Sequence, residues 1–176
     1  VISGEMSNCT VIAQQTLGRY IVAGTSLTGG YGVLRAYTLS GVLDTTFNST
    51  GSVPGEYNTG IANGVYNLVV DAYDRIYIAY KNGSNIDIAR LAANGYLDST
   101  FNSTGIVLSA IINADDASQI CVVIDALSNI VVAAHVNDGA NKIAMVSYDS
   151  EGVIVYSQLD IADFTDPVLT DLIGKT

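Results

Sequence analysis

Residues 41–51 read GVLDTTFNSTG, and residues 95–105 read GYLDSTFNSTG. Nine of the eleven positions are identical, and the offset is a constant 54 residues. A repeat of that period describes an array of like units, not one irregular domain. The flanking sequence keeps the same beat. Ahead of the first copy, residues 9–14, 19–25 (RYIVAGT) and 31–39 are short runs, separated by Leu17-Gly18 and by Thr28-Gly29-Gly30. Ahead of the second stand residues 67–71 (NLVVD), 75–80 (RIYIAY) and 86–91 (IDIARL), with a turn at Tyr73-Asp74 and a hairpin loop over 81–85. A third set follows at 120–125, 129–134 and 142–148, with turns at Leu127-Ser128 and Asn137-Asp138-Gly139.

Runs of this length, rich in Val, Ile, Tyr and Thr and bounded by Gly, Asn and Asp, predict strands. No window carries a capped helical period, and only residues 167–173 suit a single helical turn. Pro54 and Pro167 both fall outside the expected strands, as sheet hydrogen bonding requires. A fourth strand per unit comes from residues 105–110 (GIVLSA) and its equivalents. The expected fold is all-β: a β-propeller-like array of about three four-stranded antiparallel blades. The organisation is an N-terminal arm over 1–8, units over about 9–60, 61–114 and 115–157, and a tail over 158–176. In the third unit Glu151-Gly152 stands where Asn94-Gly95 stood. The rest of the phrase is replaced by residues 153–158 (VIVYSQ), a degenerate end copy.

The strands GRYIVAG, DRIYIAY and SNIVVAA, the first two followed by a G-x-LD-x-TF phrase, resemble the delta-60 repeat family. The resemblance covers roughly residues 9–157. It rests on Arg90-Leu91, Gly95, Leu97-Asp98, Phe101 and Gly105, and earlier on Gly41, Leu43-Asp44, Phe47 and Gly51. Two departures stand out: Asn48 and Asn102 replace the glycine that follows Phe in the family, and the third unit has lost the phrase. The resemblance implies propeller-like blades, an exported or surface-exposed multi-repeat protein, and no enzymatic role.

Charge and composition narrow the function classes. Seventeen acidic residues against 7 basic give a net charge of −10, which repels nucleic acid and anionic membranes. Fourteen of the acids are Asp, a residue of turns and strand ends. Charged residues make up 14% against about 25% in an ordinary soluble domain, while the apolar fraction is 49%. No apolar run is long enough to span a bilayer as a helix. With few charges to solvate the exterior, some faces of the units call for cover by a neighbour. Three units also fall short of the about 4–8 blades of a closed propeller. Self-association or further repeats of a longer chain are therefore the expected partners. The chain opens at Val1 without a recognisable leader, which reads as a mature or excised fragment.

The motifs favour structure over chemistry. In Leu-Asp-x-Thr-Phe, the carboxylates of Asp44 and Asp98 suit backbone N–H groups, Thr suits a cap, and Phe47 and Phe101 suit plugs between blades. The alternative is a shallow ligand or ion contact repeated in each blade. Asn8, Asn48, Asn82 and Asn102 begin N-glycosylation sequons. Asp115-Asp116 and the tail acids Asp160, Asp163, Asp166 and Asp171 invite a calcium reading, but no D-x-D-x-D-G loop accompanies them. His135 is the only histidine, expected at the loop end of a strand, and no G-x-S-x-G elbow supports a triad. Gly29, Gly30 and Gly32 do not make a phosphate loop. Cys9 and Cys121 are expected as buried small hydrophobes and not as a disulfide. The eleven tyrosines, Tyr20, Tyr31, Tyr37, Tyr77 and Tyr80 among them, suit strand packing and also sugar-binding surfaces. No catalytic, cofactor or metal residue is expected. The expected role is a non-enzymatic structural or interaction module. The alternative is a carbohydrate- or protein-binding propeller with ligand on the loop face. A hydrolase is the third class, and it requires a convergent pocket with a perturbed carboxylate pair.

Overall fold

The computed structural model describes residues 6–62, 64–109, 111, 120–137 and 141–161. These hold strands β1 (Met6–Gln15), β2 (Arg19–Ser26), β3 (Tyr31–Thr38) and β4 (Glu56–Ala62), then β5 (Asn67–Val70), β6 (Ile76–Asn82), β7 (Asn85–Leu91) and β8 (Ile106–Leu108). The last four are β9 (Ile120–Ile124), β10 (Ile130–Asn137), β11 (Asn141–Tyr148) and β12 (Ile154–Ile161). They form three separate four-stranded antiparallel sheets, each ordered as in the chain, and no helix occurs among the described residues.

Alternation along the strands sorts side chains into two cores, because successive residues of a strand face opposite sides. In β6, Ile76, Ile78 and Tyr80 join the core shared with the first sheet, while Tyr77 and Ala79 join the core shared with the third. Cross-strand pairing carries the division into β7: Ile76 lies opposite Leu91 and Ile78 opposite Ala89, while Ala79 lies opposite Ile88. The first sheet adds Ile21, Ala23, Leu34 and Ala36 to one core. The third adds Val122, Ile130, Val132, Val146 and Tyr148 to the other.

The stack therefore has a direction. Aligned through Arg19, Arg75 and Asn129, the residues Ile21 and Ala23 correspond to Tyr77 and Ala79, and both pairs face the next sheet. Ile76 and Ile78 correspond to Ile130 and Val132, and both face the sheet before. Among the described residues, one face of each end sheet belongs to neither core. On the first sheet it carries Ile12, Tyr20 and Val22; on the third it carries Val123, Val131, Ala133 and Met145.

Several expectations need correction. Residues 6–8 are not an arm: Asn8 pairs with Thr25 and its Oδ1 accepts the Thr25 N–H at 2.8 Å, so the polar start of the chain is held as strand. Residues 158–161 belong to β12, not to a tail, because the backbone ladder with β11 continues to Ile161. The loop over 81–85 shrinks to Gly83-Ser84, since pairing runs to Asn82 opposite Asn85 and Gly83 supplies the positive φ that a two-residue hairpin turn needs. Cys9 and Cys121 are free, as expected, but both are exposed, because they point away from the shared cores. His135 lies inside β10 opposite Ile143 and does not close the strand, because the ladder continues two residues beyond it. The turn expected at Asn137-Asp138-Gly139, Asp115-Asp116, the tail acids Asp163, Asp166 and Asp171, and the helical turn over 167–173 fall wholly or partly outside the described residues.

Candidate functional site

Each copy of the phrase leaves the third strand of its sheet and returns to the fourth. The Asp44 N–H donates to the Ala36 carbonyl and the Asp98 N–H to that of Arg90, both at 2.9 Å. Each carboxylate then folds the phrase on itself. Asp44 Oδ1 accepts from Thr46 N at 3.0 Å and Thr46 Oγ1 at 2.5 Å; Asp98 Oδ1 accepts from Thr100 N at 3.1 Å and Thr100 Oγ1 at 2.7 Å. An arginine completes each site, Arg19 Nε at 3.2 Å from Asp44 and Arg90 Nε at 2.9 Å from Asp98. Burial alone would raise both carboxyls, but the Thr bonds and the neighbouring guanidinium hold them below the ordinary value.

The two arginines come from different strands, Arg19 opening β2 and Arg90 near the end of β7. Each nevertheless covers its own phenylalanine, at 5.9 Å from the Phe47 ring centre and 4.9 Å from that of Phe101. Unit two also carries Arg75 at the position of Arg19, but that side chain turns to Asp71 at 2.6 Å. A second substitution of roles concerns glycine. Gly51 and Gly105 align in sequence, yet Gly55 does the work of Gly105. The Gly55 and Gly105 N–H groups donate to the carbonyls of Phe47 and Phe101, both at 2.7 Å, and each has a positive φ under Leu43 or Leu97. Gly51 instead closes a local turn on Asn48. The first copy simply holds four more residues between Phe and this glycine.

The Phe-Asn end of each phrase reaches the next unit. Phe47 and Phe101 are wholly buried. A Cβ on Gly95 would meet the Phe47 ring at 2.6 Å, and one on Gly152 would meet that of Phe101 at 3.2 Å. Beside them the Asn48 N–H donates to the Asn94 carbonyl at 2.7 Å, and the Asn102 N–H to that of Glu151 at 2.8 Å. Asn48 and Asn102 adopt φ of 44° and 50°, the left-handed region that Gly and Asn tolerate. Their Nδ2 groups donate to the carbonyls of Glu56 and Ile106. Sequon Asn82 likewise gives its Nδ2 to Asp87.

The turn that receives Phe occurs in all three units. Gly41, Gly95 and Gly152 donate to Thr38, Ala92 and Asp149, and Thr38, Ala92 and Asp149 donate in turn to Val42, Tyr96 and Val153. Only two units carry the phrase that fills it. The third passes from β11 to β12 through residues 149–153, so residues 154–158 of the segment VIVYSQ open the fourth strand.

Sequence reading missed the strongest polar link between units. Asp74, in the β5–β6 turn with φ of 61°, accepts Thr16 N at 2.6 Å, Thr16 Oγ1 at 2.7 Å and Leu17 N at 3.1 Å from the first unit. Burial opposes its ionisation, but these bonds and the Arg19 charge hold the carboxyl low. An Asp at a left-handed turn position was the available signal. A second clasp joins the Tyr96 hydroxyl to Ser49 and Thr50, each at 3.0 Å.

No group of three or more metal-ligating side chains exists among the described residues. His135 Nδ1 is buried without a hydrogen-bond partner, on the outer side of the third sheet. Asp87 is buried between the first two sheets, pushed up chiefly by burial against the bond from Asn82. Comparison of the chain with family models, curated proteins and solved structures finds no match.

Proposed function

We propose that this chain is a non-enzymatic packing module, a propeller-like run of three blades of the delta-60 kind on an exported or surface-exposed protein. It works by stacking blades, through self-association or as part of a longer array. One observation carries this reading. Both internal interfaces bury corresponding residues of successive sheets, and the same two face types remain open at the ends of the stack. The phrase carboxylates support it, since Asp44 and Asp98 spend their oxygens on their own loop and arginine. Exposed apolar faces of this kind mark association surfaces in soluble proteins. Light scattering at several concentrations tests the reading. A mass above 18.4 kDa that rises or saturates with concentration is expected, and a monomer at every concentration overturns self-association.

A further inference from the structure

The receiving turn is filled at Gly95 and Gly152 but not at Gly41. Leu68, Ile76, Ile78 and Leu91 close on Phe47; Val122, Ile130, Val132 and Tyr148 close on Phe101. The corresponding residues of the first unit, Ile12, Tyr20, Val22 and Tyr37, wall an open apolar cleft of about 400 Å³ that ends at Gly41. Ile12 is 60% exposed, where Leu68 and Val122 are each 3%. Nothing lies within 4 Å of the place where a Gly41 Cβ would stand. Ser40 occupies the position from which Asn94 and Glu151 accept the N–H of the incoming Asn.

The geometry points to this cleft as the docking site for a further four-stranded unit whose own Asp-x-Thr-Phe-Asn phrase is unspent. Its Phe enters over Gly41, and its Asn N–H meets the Ser40 carbonyl. The inference rests on the packing reading and continues an interface that the chain already makes twice. An unaltered second copy supplies no such phrase. Phe47 and Phe101 are both 0% exposed within their own chain, and the third unit lacks the segment.

The test gives the third unit a phrase. In the full chain, residues 149–153 are replaced by a copy of residues 92–105. Light scattering should then show at least a doubling of mass over the unaltered chain at equal concentration. The gain should vanish when the inserted copy carries Phe101→Ala, and when the chain carries Gly41→Asn. Asn accepts a left-handed φ, as Asn48 shows, and its side chain fills the space that the ring needs. A folded grafted chain of unchanged mass overturns the inference, as does association indifferent to both substitutions. In the second case the sheet faces pack without the phrase and the packing reading survives. An unaltered chain whose own multimer dissociates on Gly41→Asn assigns the cleft to a second copy and also overturns it. Should the graft fail to fold, a labelled peptide of residues 92–106 is titrated against the unaltered chain by fluorescence anisotropy. Binding should weaken about tenfold with Phe101→Ala in the peptide and with Gly41→Asn in the chain. No saturable binding, or equal binding by all pairs, overturns the inference.

Discussion

The two internal interfaces share a plug and differ in their clasps. At both, a buried Phe sits on a glycine of the next unit and an Asn N–H meets the carbonyl before that glycine. At the first, Asp74 also grips Thr16 and Leu17, and Tyr96 grips Ser49 and Thr50. At the second, the corresponding residues are Ser128 and Val153, and Arg90 Nη1 donates to the Ser150 carbonyl instead. The plug is the constant of the architecture, and the polar clasps are local variations on it. Non-directional burial tolerates drift in its surroundings, whereas a hydrogen bond needs its particular partner.

Removing the plug should have the largest effect. Phe47→Ala and Phe101→Ala should each cost about 3–5 kcal/mol in urea unfolding. Phe101 should lie at the upper end, since its ring also meets Tyr77 edge-on at 5.9 Å and lies closer to its arginine. Equal losses below about 1 kcal/mol would contradict the plug's role. Giving the first interface the second one's residue, Asp74→Ser, should cost about 2 kcal/mol. Ser128 holds a φ of 66° in the third unit, so the turn itself accepts serine.

Acid should weaken the carboxylate clasps in a defined window. Asp44, Asp74 and Asp98 lie below the ordinary value of 3.8, and so does Asp125, where bonds from Asn129 and Leu127 outweigh burial. A depressed folded value means that the stabilisation is full above 3.8 and is lost as the pH falls through the folded values. Melting temperature should therefore be level near neutrality and fall below about pH 4. Asp87 has the opposite sign. Its raised value favours the fold at low pH, and that contribution fades as the pH rises through the folded value. Asp87→Asn should raise the melting temperature at pH 7, with the gain shrinking towards pH 4. The smallest effect belongs to Tyr96→Phe at the exposed clasp, which should lower the urea unfolding midpoint slightly and by less than Asp74→Ser does.

Much of the chain was legible because its signals are local. The short Val/Ile/Tyr/Thr runs and their Gly/Asn/Asp turns placed ten of the twelve strands to within a few residues, while β4 had no range of its own and the residues of β12 read as a degenerate end copy. What escaped depends on distance or on counting. Gly55 replaces Gly51 because four extra residues shift the return strand, and identity in sequence pointed to the wrong glycine. Arg19 and Arg90 reach equivalent aspartates from non-equivalent strands, a likeness visible only in space. Cys9 and Cys121 sit in apolar strands that looked buried, but a strand has two sides, and only the stacking order tells which side is covered.

The five-residue link between β11 and β12 fixes a number. Among the described residues it leaves three sockets and two keys, and both keys are already turned inside the chain. The surplus of one is written into the covalent sequence of these three units. The three described units share one sense of polarity. Where a unit with a free key joins at Gly41, the described stack grows by the phrase at that end, while its third unit offers no key at the other.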